Sequence, residues 1–161
     1  MAPDQESTGF PNIPGVTYSG LVNGLRLADY SEIPPIEGDA YPVLVSTVDS
    51  DGNGNAGLRH PALQVPRATL TGWNLRAKGH AEGDIYSTTG SKIAFADTRA
   101  ERLTKGDPRP SIAERYADDV DYAAKLRAVV DKMVAERLLL AEDADRIVAA
   151  ALEGNNVLTA A

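Results

Sequence analysis

The stretch 41–76 constrains the fold more than any other part of this chain. It opens with Tyr41-Pro42-Val43-Leu44-Val45-Ser46-Thr47-Val48, a run rich in β-branched residues. The cluster Asp49-Ser50-Asp51-Gly52-Asn53-Gly54 follows, and apolar residues return at Ala62-Leu63-Gln64-Val65 and Ala68-Thr69-Leu70-Thr71. Two apolar runs flanking an Asp/Asn/Gly cluster predict an antiparallel ribbon with a long hairpin connection. Val43, Val45 and Thr47 alternate with Leu44, Ser46 and Val48, so both faces are partly apolar and need cover. Pro66 in the return run implies an edge position or a break.

The C-terminal half follows a different period. Ser111 and Glu114 have the S-x-x-E spacing of a capping box. Tyr122, Leu126, Val129, Val130, Met133 and Val134 follow helical spacing, with a break at Asp118-Asp119 and an end expected around Leu138 to Leu140. A second helix is expected from about Glu142 to Leu152, with Ala144, Ile147, Val148, Ala151 and Leu152 on one face. The short link predicts that the two helices pack as an antiparallel hairpin. Before them, Thr98 to Lys105 is expected to form a short helix closed by Gly106, and 77–92 reads as loop ahead of the apolar anchor Ile93-Ala94-Phe95.

Residues 1–40 are interrupted by Pro3, Pro11, Pro14, Pro34 and Pro35, which favour extended or turn geometry. They still carry Phe10, Ile13, Tyr18, Leu21 and Leu25, which a flexible linker would not need. The expectation is an ordered arm lying across a surface, with a short strand or turn near Leu21 to Leu27; a frayed tail is the alternative. The chain thus divides into an arm at 1–40, a ribbon with loops at 41–96, a helical segment at 97–153 and a tail at 154–161, within one domain. The fold class is α+β: a small antiparallel sheet, an irregular N-terminal arm and a C-terminal helical hairpin.

Charge narrows the function classes. A net charge of −7 with no Lys/Arg cluster argues against nucleic acid and anionic membranes as partners. No apolar run approaches the roughly 20 residues of a transmembrane helix. The N-terminus lacks the basic start and apolar stretch of a signal peptide, and the compartment is left open. The absence of Cys removes thiolate metal sites.

The residues that could carry chemistry are few. Asp49 to Gly54 matches the first half of an EF-hand loop, but the twelfth position is His60, where Ca²⁺ needs a bidentate Glu. A plain hairpin turn is the expectation, and no metal or cofactor is assigned. His60 and His80 are the only imidazoles, and both read as exposed loop residues. No serine sits in G-x-S-x-G, the elbow that exposes a hydrolase nucleophile, so no catalytic residue is assigned. Trp73, the only Trp, reads either as a core residue or as an interface anchor. The candidate interface set is Trp73, Phe10, Tyr18, Leu21 and Leu25.

Several blocks together resemble a family of bacterial α/β-hydrolase-domain proteins. They include Pro42 to Asn53, Ala56-Gly57-Leu58-Arg59-His60-Pro61, Thr71-Gly72-Trp73-Asn74-Leu75-Arg76, Gly106-Asp107-Pro108-Arg109-Pro110-Ser111 and Leu139-Leu140-Ala141-Glu142-Asp143-Ala144. Where the family tends to have Pro at the start of the last helix, this chain has Ala141. The resemblance is to the C-terminal part of longer proteins, whose nucleophilic Ser and catalytic His lie upstream of the matched region. It implies ester or related acyl hydrolysis for the family and a hydrolase catalytic body as partner. For this chain it implies an accessory region that is inert alone, met as a truncated product, a fragment or a separate subunit. An independent binding or scaffold domain is the alternative.

Overall fold

Eleven elements are present among residues 8–17, 25–41 and 44–153, which the computed structural model describes. They are β1 (Arg26–Asp29), β2 (Ile36–Ala40), α1 (Pro61–Gln64), β3 (Ala68–Thr71), β4 (Asn74–Leu75) and β5 (Ile85–Tyr86). β6 (Ser91–Ala94), α2 (Arg99–Lys105), α3 (Ile112–Arg115), α4 (Asp119–Ala135) and α5 (Ala141–Leu152) follow. The strands make three two-stranded sheets: β1 with β2, β3 with β6, and β4 with β5. The fold class is α+β, as the sequence implies. The chain forms two compact units, Met1–Ala56 with Leu70–Lys92 and Gly57–Thr69 with Ile93–Ala161, and the division falls within β3 and β6.

The second unit holds the helices, and local chemistry fixes their ends. Thr98 caps α2 by accepting from the Glu101 N–H, and Gly106 closes it at φ 70°. Ser111 starts α3, and the Glu114 carboxylate accepts from the Ser111 N–H at 2.9 Å and its hydroxyl at 2.8 Å. Asp118 caps α4 by accepting from the Asp121 N–H. α4 ends at Ala135, earlier than the spacing predicts. Arg137 turns left-handed there, at φ 61°. Its N–H donates to the Val134 carbonyl, and that of Leu138 to Met133. This pair of bonds is the Schellman stop, made here without glycine.

α4 and α5 fold back on one another, tied at the surface by Arg127 and Asp145 at 2.7 Å. Their shared core is Tyr122, Leu126, Val130, Ala144, Ile147 and Val148, with Val65 and Tyr116 added. Leu152, expected on the same face, is 45% exposed at the helix end. The Tyr116 and Tyr122 rings meet edge-on at 5.0 Å, and the Tyr116 hydroxyl donates to the Pro66 carbonyl at 2.7 Å. Both tyrosines thus bury their rings and keep a polar outlet or a cation nearby, Arg67 lying over Tyr122.

A buried ion pair joins β3, β6 and the turn before α3 inside this unit. Arg109 and Asp107 are 2% and 7% exposed. The guanidinium donates twice to the Asp107 carboxylate, at 2.9 and 2.6 Å. Its remaining donors reach Thr69 Oγ1 and the carbonyls of Ile93 and Ala94. Burial pushes the Asp107 carboxyl up, but hydrogen bonds from Arg109 and the charges of Arg109 and Arg102 outweigh it and hold it below the ordinary value.

The ribbon is the main correction. Leu44 to Thr47 form no ladder strand, and Val48 makes a single bridge to Gly54. Pro42 and Val43 lie outside the described residues. The run closes on its own turn, with the Asn55 N–H donating to the Thr47 carbonyl. The expected return strand splits: Pro61–Gln64 is a helical turn, and β3 pairs with β6 instead. Pro61 is preset for a first helical position, and His60 caps that turn, so local chemistry overrode the apolar pattern. The irregular arm is corrected in part as well. β1 and β2 form an antiparallel hairpin within it, turning through Ser31 to Pro35. The loop at 77–92 likewise contains β5 and the start of β6.

Two expectations follow. Asp107→Ala leaves the Arg109 guanidinium buried without its carboxylate, and should cost about 3–5 kcal/mol of stability, read as a lowered urea midpoint. Acid should act through Glu114, whose carboxyl is lowered from 4.5 to about 2, first by the Arg102 guanidinium and then by Ser111. Its folded value lies below its unfolded one, so its contribution is present above pH 4.5 and fades as pH falls towards about 2. Glu114→Gln should flatten that acid limb in a pH series of thermal melts, while an unchanged slope would assign acid loss to other carboxylates.

Candidate functional site

In the first unit, turns between its short strands border a cavity. Asp49 organises the first of them. Its Oδ1 accepts from the N–H groups of Asp51 and Asn53, both at 3.0 Å, and its carbonyl accepts from Gly52. This is an Asx turn, with Gly52 supplying φ 79°. The Asp49 carboxylate is therefore turned onto backbone amides. Asn53 is fully buried, and its Oδ1 accepts from the Leu70 N–H at 2.7 Å. The turn thereby holds the chain where it runs on to Trp73.

Thr71 fixes the next link. Its hydroxyl donates to the Trp73 carbonyl and meets Ser91 Oγ at 2.6 Å, and it also accepts from the Ser91 N–H. Gly90 is required there, because a Cβ would stand 2.5 Å from the Thr71 carbonyl oxygen. On the other side, Phe10 is buried against Trp73, with ring centroids 5.3 Å apart and planes tilted by 59°.

The resulting cavity is about 290 Å³. Phe10, Val48, Leu70, Trp73 and Ile85 give it apolar walls, and the exposed Ser46 and Ser87 also border it. Among the described residues, none of its lining side chains is charged.

Of the candidate interface residues, Phe10 and Trp73 come together at this cavity. Leu25 does not join them; it is 69% exposed beside the β1–β2 hairpin, its carbonyl accepting from the Tyr41 N–H. Tyr18 and Leu21 lie outside the described residues. Trp73 is neither plain core nor fully exposed, being half-buried as a cavity wall. Sequence reasoning missed Asn53, Leu70 and Ile85. Only Asn53 carried a signal, and that signal read as a turn residue alone.

The histidines fall in different units. His80 is exposed in a loop of the first. His60 is half-buried, which corrects the exposed-loop expectation, and its Nδ1 accepts from the Ala62 N–H at 3.2 Å as the cap of α1. Burial pushes its pKa down, which favours the neutral ring that this cap requires. Among the described residues no helix is long and apolar enough to cross a membrane.

A family model described as an alpha/beta hydrolase domain matches residues 26–149. The chain belongs to that family. Neither the curated proteins nor the solved structures gave a match. The matched part of this α/β-hydrolase-domain chain runs from the first residue of β1 into α5, and includes Asn53, Trp73 and the Asp107–Arg109 pair.

Asn53→Ala should leave the half-buried Leu70 N–H without its acceptor, at a cost of about 1–3 kcal/mol. The nitrogen of Trp73, as the single indole, should report the same change as a shifted N–H resonance.

Proposed function

We propose that this chain is an accessory region of an α/β-hydrolase-domain protein, one that docks on a catalytic body and does not itself turn over esters. The observation that carries this reading is the apolar surface of the first unit. Tyr30 is 79% exposed, Ile33 98%, Leu25 69% and Leu44 96%. Covering each such side chain is worth about 1.5–3 kcal/mol, against a typical domain stability of about 5–15 kcal/mol. The family match begins at Arg26, the first residue of β1, so the hairpin bearing Tyr30 and Ile33 is part of the shared family region. That placement supports the family's own catalytic body as its occupant.

The state of the histidines supports the second half of the reading. A serine nucleophile needs a base within hydrogen-bond reach. His60 spends its Nδ1 lone pair on a helix cap, and its depressed pKa opposes proton uptake. A separate binding or scaffold domain is the second reading, favoured by the second unit closing a core of its own around Leu126 and Val130.

One experiment separates them. The purified chain is mixed with a family catalytic body truncated before this region, and followed on a sizing column and by Trp73 emission. Co-elution that Ile33→Ser with Leu44→Ser weakens at least about tenfold supports docking. A chain that ignores the catalytic body and melts cooperatively by itself supports the scaffold reading. In parallel, a fluorophosphonate probe should label no serine and p-nitrophenyl acetate should show only background turnover; labelling of any serine would overturn the accessory assignment.

A further inference from the structure

We infer that the first unit binds a small uncharged aromatic molecule in the cavity walled by Phe10 and Trp73. Size is the first argument. The cavity's roughly 290 Å³ sits at the low end of small-molecule sites. A dry cavity of about 150 Å³ already admits benzene, so this one has room for a ring and a short substituent.

The walls choose the ligand's chemistry. Phe10 and Trp73, tilted by 59° at 5.3 Å, present ring faces and edges in different directions. An entering ring can then meet one partner edge-to-face and the other offset, the arrangements aromatic quadrupoles favour. Val48, Leu70 and Ile85 add aliphatic contact without competing polar atoms. No described lining side chain is charged, so an ionised ligand would give up hydration with no counter-ion among them to receive it.

The polar side chains among the described lining residues are hydroxyls, and Thr8 Oγ1 accepts from the Phe10 N–H. Thr71 Oγ1 is committed to Ser91 and to the Trp73 carbonyl. The exposed Ser46 and Ser87 border the cavity and can donate to a carbonyl or ether oxygen on the ring's substituent. The framework is set before any ligand arrives. Asn53 holds Leu70, Thr71 holds Trp73, and the Asp49 turn holds Asn53. This inference does not rest on the docking reading, since the cavity and the β1–β2 hairpin involve different residues.

The test uses the whole chain and acetophenone, which fits the class and cannot be hydrolysed. Saturation-transfer NMR and the single Trp73 indole N–H resonance report binding. The expected result is saturable binding with a dissociation constant below about 1 mM, within the reach of a ligand of that size. Benzoate should bind at least about tenfold more weakly and cyclohexyl methyl ketone at least about threefold more weakly, the orders that lost hydration and lost ring contacts predict. Ser46→Phe and Ser87→Phe, both at exposed positions, should each weaken acetophenone at least about tenfold while circular dichroism stays unchanged. No saturable response, benzoate or the cyclohexyl ketone binding as tightly, or full-strength binding by both variants would overturn the inference.

Discussion

The buried Arg109 guanidinium is the interaction on which the second unit most depends. Five N–H donors in a rigid plane must all find acceptors once water is excluded. They find them on Asp107, on Thr69 of β3, and on Ile93 and Ala94 of β6. A buried ion pair is weak evidence for net stability, because desolvation offsets its Coulomb attraction. Its value here is geometric. One planar group reads an oxygen from β3 and two carbonyls from β6, so a slip of either strand would orphan donors in the interior. Phe95, which follows β6, lies under both Arg109 and Arg115, so the ring at the strand's end is held by cations as well as by apolar contact.

The two units solve the same problem with different means. The second has long helices, and its core closes around Leu126 and Val130, which are fully buried. The first has strands of two to five residues, and hydrogen bonds from Asp49, Asn53 and Thr71 take over the positioning that packing supplies elsewhere. Short strands bury little, which is why the first unit keeps large apolar side chains in water. The same sparse packing leaves room for a cavity against Trp73. Both functional readings therefore come from one physical cause.

Legibility followed the range of the interactions. The capping box at Ser111 and Glu114 and the Gly106 stop are decided within four residues, and the sequence shows them; Asp118, read only as a break, is the N-cap of α4. The same holds for the Asp49 turn. The ribbon failed because β3 chose a partner twenty residues on, and local β propensity favours the run at 43–48 over Ser91-Lys92-Ile93-Ala94. The site was half legible. Phe10 and Trp73 stand out as large aromatics in a chain with few, yet their meeting is a tertiary fact. Asn53 was hidden because its side chain serves a residue seventeen positions away.

By itself, the sequence determined the class of the fold, the helical hairpin, the turn at Asp49 to Gly54, the poverty of histidine and the resemblance to α/β-hydrolase-domain proteins. Those features rest on local propensity, side-chain inventory or motif order, none of which needs a third dimension. Tertiary structure alone decided which strands pair, that Arg109 is buried with all its donors met, and that Phe10 and Trp73 wall a cavity whose described lining side chains are all uncharged. Each of these is a contact between segments far apart in the chain. Its free energy depends on what water is excluded when they meet, and the linear order of residues does not record that.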